Sequence, residues 1–129
     1  MPTRPIPPHA QLNLPGLDWV SHGLDRMRVL RSLVDGSIGP TEAQDAPRSL
    51  IDSAEVLGFQ RNEPCPVCGK PTLYGVYWVY GEQLGERSGT ARAAAEITAF
   101  IDSGVHLDVH EVEVCTSCRW NHLVRSARL

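Results

Sequence analysis

Two Cys-x-x-Cys pairs, Cys65-Pro-Val-Cys68 and Cys115-Thr-Ser-Cys118, hold all four cysteines of this 129-residue chain. Each pair has the spacing of a tight turn that aims two sulfurs at one point. Two such turns supply the four thiolates of a closed tetrahedral zinc site. Between Cys68 and Cys115 lie 46 residues, against roughly 15–20 in compact four-cysteine ribbons. A metal bound by both pairs would therefore close a long loop with structure of its own. A thioredoxin-like dithiol uses one such pair at the start of a helix, whereas both pairs here border strand-like segments. Catalytic zinc keeps an open fourth position, which four thiolates would fill. Iron remains an alternative to zinc, because thiolate tetrads accept both.

The length suits one domain, and 42% hydrophobic with 21% charged residues is an ordinary globular composition. No apolar run approaches the roughly 20 residues of a bilayer span. The Pro-rich start lacks the apolar centre of a secretory signal. A cytoplasmic address is expected, where reduced cysteine pairs favour metal over disulfides, and no membrane partner is expected. Net charge is −3, which argues against a general polyanion binder. The ends are basic and the middle is acidic: residues 1–32 carry +2 and residues 115–129 carry +3, with −4 in each of the two stretches between. Ordinary solvated surface accounts for that pattern.

Residues 1–17 contain five of the ten prolines and read as a disordered Pro-rich tail. Residues 18–60 read as a helical part. Its first helix spans 19–35, with Val20, Leu24, Met27, Leu30 and Val34 as the apolar stripe, Arg26, Arg28 and Arg31 pointing away, and Asp18 as N-cap. A second helix runs from Pro47 to about Leu57, capped by Asp45, with Leu50, Ile51, Ala54 and Leu57 inward. Residues 61–129 read as the ribbon. Thr72 to Tyr80 is a Val/Tyr/Trp-rich strand, and Gly81 to Gly89 a loop. Thr90 caps an inserted helix over 91–103. In the next strand Val105, Leu107 and Val109 lie in one alternation phase and Val112 and Val114 in the other, which predicts a bulge near His110-Glu111. Trp120 to Arg125 is a third strand. The predicted fold class is α+β: an N-terminal helical hairpin packed on a three-stranded antiparallel four-cysteine zinc ribbon with an inserted helix.

The remaining candidate residues point less sharply. In a zinc knuckle, Gly69 permits the tight turn after the second cysteine, and Lys70 and Arg119 sit where they offset thiolate charge. His106, His110 and His122 have no further thiolate with which to build a second metal site. Glu111 and Glu113 beside His110 allow an acid–base reading, and alternate residues on a strand rim explain them equally. There is no Gly-rich phosphate loop and no nucleophile elbow, so no catalytic residue and no small-molecule substrate is assigned. Tyr74, Trp78, Arg119, Trp120 and Arg125 together would make a stacking face for single-stranded nucleic acid, if the large rings are not simply core. The rhythm of the two N-terminal helices resembles a helix-turn-helix, but the second helix is net negative, which suits a plain hairpin better.

From Cys65 onward the chain resembles the small actinobacterial zinc-ribbon proteins catalogued as a domain of unknown function. The likeness lies in Trp78-Val79-Tyr80-Gly81-Glu82-Gln83-Leu84-Gly85, in Ser88-Gly89-Thr90-Ala91-Arg92, and in Glu113-Val114-Cys115-Thr116-Ser117-Cys118-Arg119-Trp120-Asn121-His122-Leu123. The first knuckle and the Asp45-Ala46 helix also fit, for coverage of most of residues 20–128. The resemblance implies one zinc held by Cys65, Cys68, Cys115 and Cys118, and brings no activity. It also suggests that Asn121 and His122 pin the 81–92 loop or face a partner. The function expected is a non-enzymatic interaction module docking on transcription or translation machinery, the ribosome or RNA polymerase by fold-level analogy. The alternatives are a direct DNA or RNA binder and, last, an enzyme.

Overall fold

The computed structural model describes residues 18–128. The Pro-rich tail expected over 1–17 lies outside them. In chain order the elements are β1 (Trp19–Ser21), α1 (Gly23–Asp35), α2 (Pro40–Ala43), α3 (Arg48–Leu57), β2 (Phe59–Gln60), β3 (Leu73–Tyr80), β4 (Thr90–Arg92), α4 (Ala94–Asp102), β5 (Asp108–Cys115) and β6 (Asn121–Arg128), with a 3-10 segment at Glu82–Arg87 between β3 and β4. The fold is α+β, and its sheet is larger than a three-stranded ribbon. Six antiparallel strands run in the order β1-β6-β5-β3-β2, and β4 shares the outer edge of β3 with β2.

The two phases of β5 have a simple cause. Helices cover both faces of the sheet, so both phases are buried. Leu107 and Val109 join Tyr77, Val79, Ile97 and Phe100 under α4. Val112 and Val114 join Val76, Leu50, Ile51 and Ala54 under α3. The expected irregularity falls between Glu111 and Val112, and the extra residue belongs to the partner strand: Glu111 faces Arg125 and Val112 faces Leu123, leaving Val124 unpaired across the ladder. The Val124 carbonyl accepts from His22 N instead, at 2.8 Å. On the β2 side, the Phe59 ring lies over Gly75, where an added Cβ would stand 2.4 Å from Phe59 Cζ.

Three local expectations give way, two of them to strand pairing. Trp19-Val20-Ser21 extends along β6, so α1 starts later, with His22 rather than Asp18 at its N-cap. The inward side of α1 is then Val29, Leu30 and Leu33, and Arg26 turns in with them, while Leu24, Met27 and Val34 are exposed. Thr90-Ala91-Arg92 pairs with Val79-Trp78-Tyr77, so Thr90 does not cap the inserted helix, which begins at Ala94, and its hydroxyl donates back to the Arg87 carbonyl. Pro47, rather than Asp45, occupies the N-cap of α3.

Candidate metal centre

The two knuckles are built alike. In the first, Gly69 N donates to the Cys65 carbonyl at 2.9 Å and Cys65 N to the Lys70 carbonyl at 3.0 Å. In the second, Arg119 N donates to the Cys115 carbonyl at 3.0 Å and Cys115 N to the Trp120 carbonyl at 2.8 Å. The residue after the second cysteine is left-handed in both, Gly69 at φ 76° and Arg119 at φ 70°. Arg119 is the only non-glycine described residue in that region of backbone space. Its guanidinium is held by two donations to the Ala46 carbonyl, at 2.9 and 2.7 Å, and Ala46 N donates back to the Arg119 carbonyl at 3.1 Å.

All four sulfurs lie within 4.8 Å of one another. Two pairs join opposite knuckles: Cys65 to Cys118 at 3.7 Å and Cys68 to Cys115 at 3.6 Å. Four sulfurs about 2.3 Å from a shared tetrahedral ion would be about 3.8 Å apart. The cysteines are therefore placed to hold one metal ion. Cys65 and Cys115 are buried and Cys68 is exposed. Amide donors already face the sulfurs: Val67 N reaches Cys65 Sγ and Cys118 N reaches Cys115 Sγ, each at 3.4 Å. The Thr72 hydroxyl lies 3.1 Å from Cys115 Sγ.

The environments differ within the cluster. Burial pushes the Cys65 thiol up to about 12 and raises that of Cys118. Burial acts the same way on Cys115, but the Thr72 hydroxyl and the amides of Cys118 and Ser117 outweigh it and bring that thiol down to about 7. Lys70 Nζ donates to Ser117 Oγ at 3.1 Å, tying one knuckle to the other.

Behind the sulfurs lies Trp120, 0% exposed, packed with Leu73, Cys65 and Cys115. It is core, and cannot serve as the surface contact first suggested for it. Its indole N–H donates to Glu113 Oε2 at 2.7 Å, and Arg26 Nε donates to the same oxygen at 2.7 Å. Glu113 and Glu111 are both fully buried rather than on a strand rim. Arg61 reaches Glu111 at 3.1 Å and Glu113 at 3.8 Å, and Arg125 Nε reaches Glu111 at 2.8 Å. A buried carboxylate persists only when paired, and three arginines from three separate segments supply the opposite charge, although Glu113 Oε1 and Arg61 Nε, 3.8 Å apart, make no hydrogen bond. The signal was present in the sequence: Glu111 and Glu113 share the phase of Leu107 and Val109, which faces inward.

The other proposed contact residues are also occupied. Tyr74 and Trp78 are half-buried against the α3 cluster, and Trp78 Nε1 donates to the Gly89 carbonyl at 2.9 Å. Arg125 lies 3.8 Å over the Trp19 ring. Asn121 does not reach the 81–92 loop; its amide donates to Asp45 Oδ1 at 2.9 Å. His122 stacks on Trp120, ring centres 6.0 Å apart. Among the described residues no other group of three or more His, Cys, Asp or Glu is placed to hold a metal, and no helix is long and apolar enough to cross a membrane.

A family model described as a family of unknown function, DUF5318, matches residues 17–129. The chain belongs to this family. Uncharacterized proteins of Mycobacterium tuberculosis and Mycobacterium bovis are each 39% identical to it over 107 residues, covering 83% of this chain and 78% of theirs. No solved structure matches the chain. The match of the DUF5318 model takes in both knuckles and the Glu111–Glu113 strand, so the whole centre lies within the family's span.

Proposed function

We propose that this protein is a non-enzymatic interaction module whose fold is tied together by one structural zinc ion. The donor set supports zinc: four thiolates in near-tetrahedral spacing, two of them buried, leave no open coordination position for substrate. A reducing cytoplasmic address suits free thiols in such a set.

The observation that carries the interaction reading is the outer side of α1. Leu24, Met27 and Val34 make up three of the seven large apolar residues exposed among those described, with Leu24 at 73% and Val34 at 89%. Such apolar side chains gathered on one segment mark a contact surface. The occupant proposed is a protein partner within a larger assembly, of the transcription or translation kind by analogy with other ribbons. Direct nucleic-acid binding has less support, because the rings and arginines offered for it are engaged inside the fold.

The test is a tagged pull-down from native lysate with and without nuclease, using the wild-type chain and Leu24→Asp. Partners that survive nuclease and are lost with Leu24→Asp support the reading. Partners lost only with nuclease would replace it with nucleic-acid binding. Elemental analysis of the purified chain should give one zinc per molecule, and stoichiometric iron would correct the metal.

A further inference from the structure

Helix α1 is attached to the protein differently from α3 and α4. None of its residues is fully buried. α3 and α4 pack on apolar clusters that contain no cysteine. The inward residues of α1, Val29, Leu30 and Leu33, pack on the cluster formed by Ala43, Leu73, Trp120 and the two buried cysteines. The inward charge of α1 runs to the same place. Arg26 shares Glu113 Oε2 with the indole N–H of Trp120, and the Trp120 carbonyl closes the second knuckle by accepting from Cys115 N. The other end of the helix is tied to β6, where His22 N donates to the Val124 carbonyl and His22 Nε2 lies 3.0 Å from Ser126 Oγ. The floor beneath α1 is thus the candidate metal centre, and its fixed end is the Val124 bulge.

We infer that α1 is a metal-responsive arm, held against the sheet while the four cysteines share an ion and released from about Arg26 to Asp35 when the ion leaves. This rests on the reading that the centre binds metal. Each knuckle is closed by local backbone bonds, and the two are joined by the end of the β3–β5 ladder and the Lys70–Ser117 contact; bound metal adds the bonds that fix the sulfurs, and with them the buried cysteines under α1, in one arrangement. Without those bonds the surface under Val29, Leu30 and Leu33 loses its shape. An isolated helix of this length is marginal in water, so an undocked α1 unfolds. The sheet under α3 and α4 keeps its cysteine-free clusters. Coupling between two sites is reciprocal, so weakening the seat of α1 weakens the hold on metal, even though α1 supplies no ligand.

Hydrogen exchange on the full-length chain, zinc-loaded and after chelation, tests the first half. Amides of α1 should lose roughly 10-fold or more of their protection while β3, β5 and α4 keep most of theirs. Zinc affinity measured by competition with a chromogenic chelator tests the second half. Leu30→Ala and Arg26→Gln should each weaken zinc by about 5- to 100-fold, and Arg31→Gln, on the exposed side of the same helix, should leave it unchanged. Arg26→Gln removes no apolar packing, so it reports if Leu30→Ala fails to fold. If zinc binds but neither inward variant alters its affinity, or chelation loosens α1 no more than α4, the arm is refuted and the zinc centre stands. If the chain binds no zinc, both ideas fall.

Discussion

Arg119 and Gly69 fill equivalent places in two matching turns, yet only one of them is glycine. A side chain in the left-handed region costs on the order of 1 kcal/mol, and Arg119 offsets this with its grip on the Ala46 carbonyl. Arg119→Gly relieves the backbone and loses that grip. Arg119→Ala keeps the strain and loses it too. In urea unfolding of the loaded protein, Arg119→Ala should be the less stable of the two by about 0.5–1 kcal/mol, and the reverse order would show that the turn is not strained. Trp120→Phe asks a second question at this scale. It keeps most of the ring in the core but leaves a buried carboxylate one donor short, at a cost of about 1–3 kcal/mol. An unchanged urea midpoint would mean that Arg26 alone satisfies Glu113 Oε2.

Strand pairing decides what each element becomes, and it is where the sequence is least legible. The knuckles could be read because cysteine spacing is itself a local geometry. β3 and β5 could be read because their β-rich runs are long. Trp19–Ser21 and Thr90–Arg92 could not be read, because three residues become strand only when β6 and β3 lie alongside. Once β1 forms, α1 starts at Gly23 and Arg26 turns inward to Glu113, so an apolar stripe that runs on through Val20 names the wrong side of the helix. The buried carboxylates were missed for a related reason: acids read as exposed until three distant arginines are brought to them. Close approach between elements has its own test at Gly75. A methyl there would meet the Phe59 ring, so Gly75→Ala should destabilise by at least about 1–3 kcal/mol. Adding Phe59→Leu, which makes room, should recover part of the loss, and a double variant no better than additive would show that β2 does not press on β3.

For the molecule as a whole, a metal ion taken up by the four cysteines would compete with protons for the same sulfurs. Structural zinc contributes on the order of 10–16 kcal/mol in small finger peptides that have no other core. Here two cysteine-free clusters remain, so the metal-free chain should still melt cooperatively, at a lower temperature than the loaded one. The pH dependence of loading follows from the thiols. Burial holds the Cys65 thiol up to about 12 and raises that of Cys118, so both carry protons through the neutral range and must lose them to the metal. Cys115 has been brought down to about 7. Below that value its proton is displaced as well, and above it the sulfur is already a thiolate. Apparent zinc affinity should therefore rise with pH throughout, and the slope of its logarithm should fall by about one proton as the pH passes neutrality. Chelator competition at several pH values, with proton release counted by calorimetry in buffers of different ionisation enthalpy, measures both. An affinity that stays flat with pH would mean that the metal is not displacing protons from these four sulfurs.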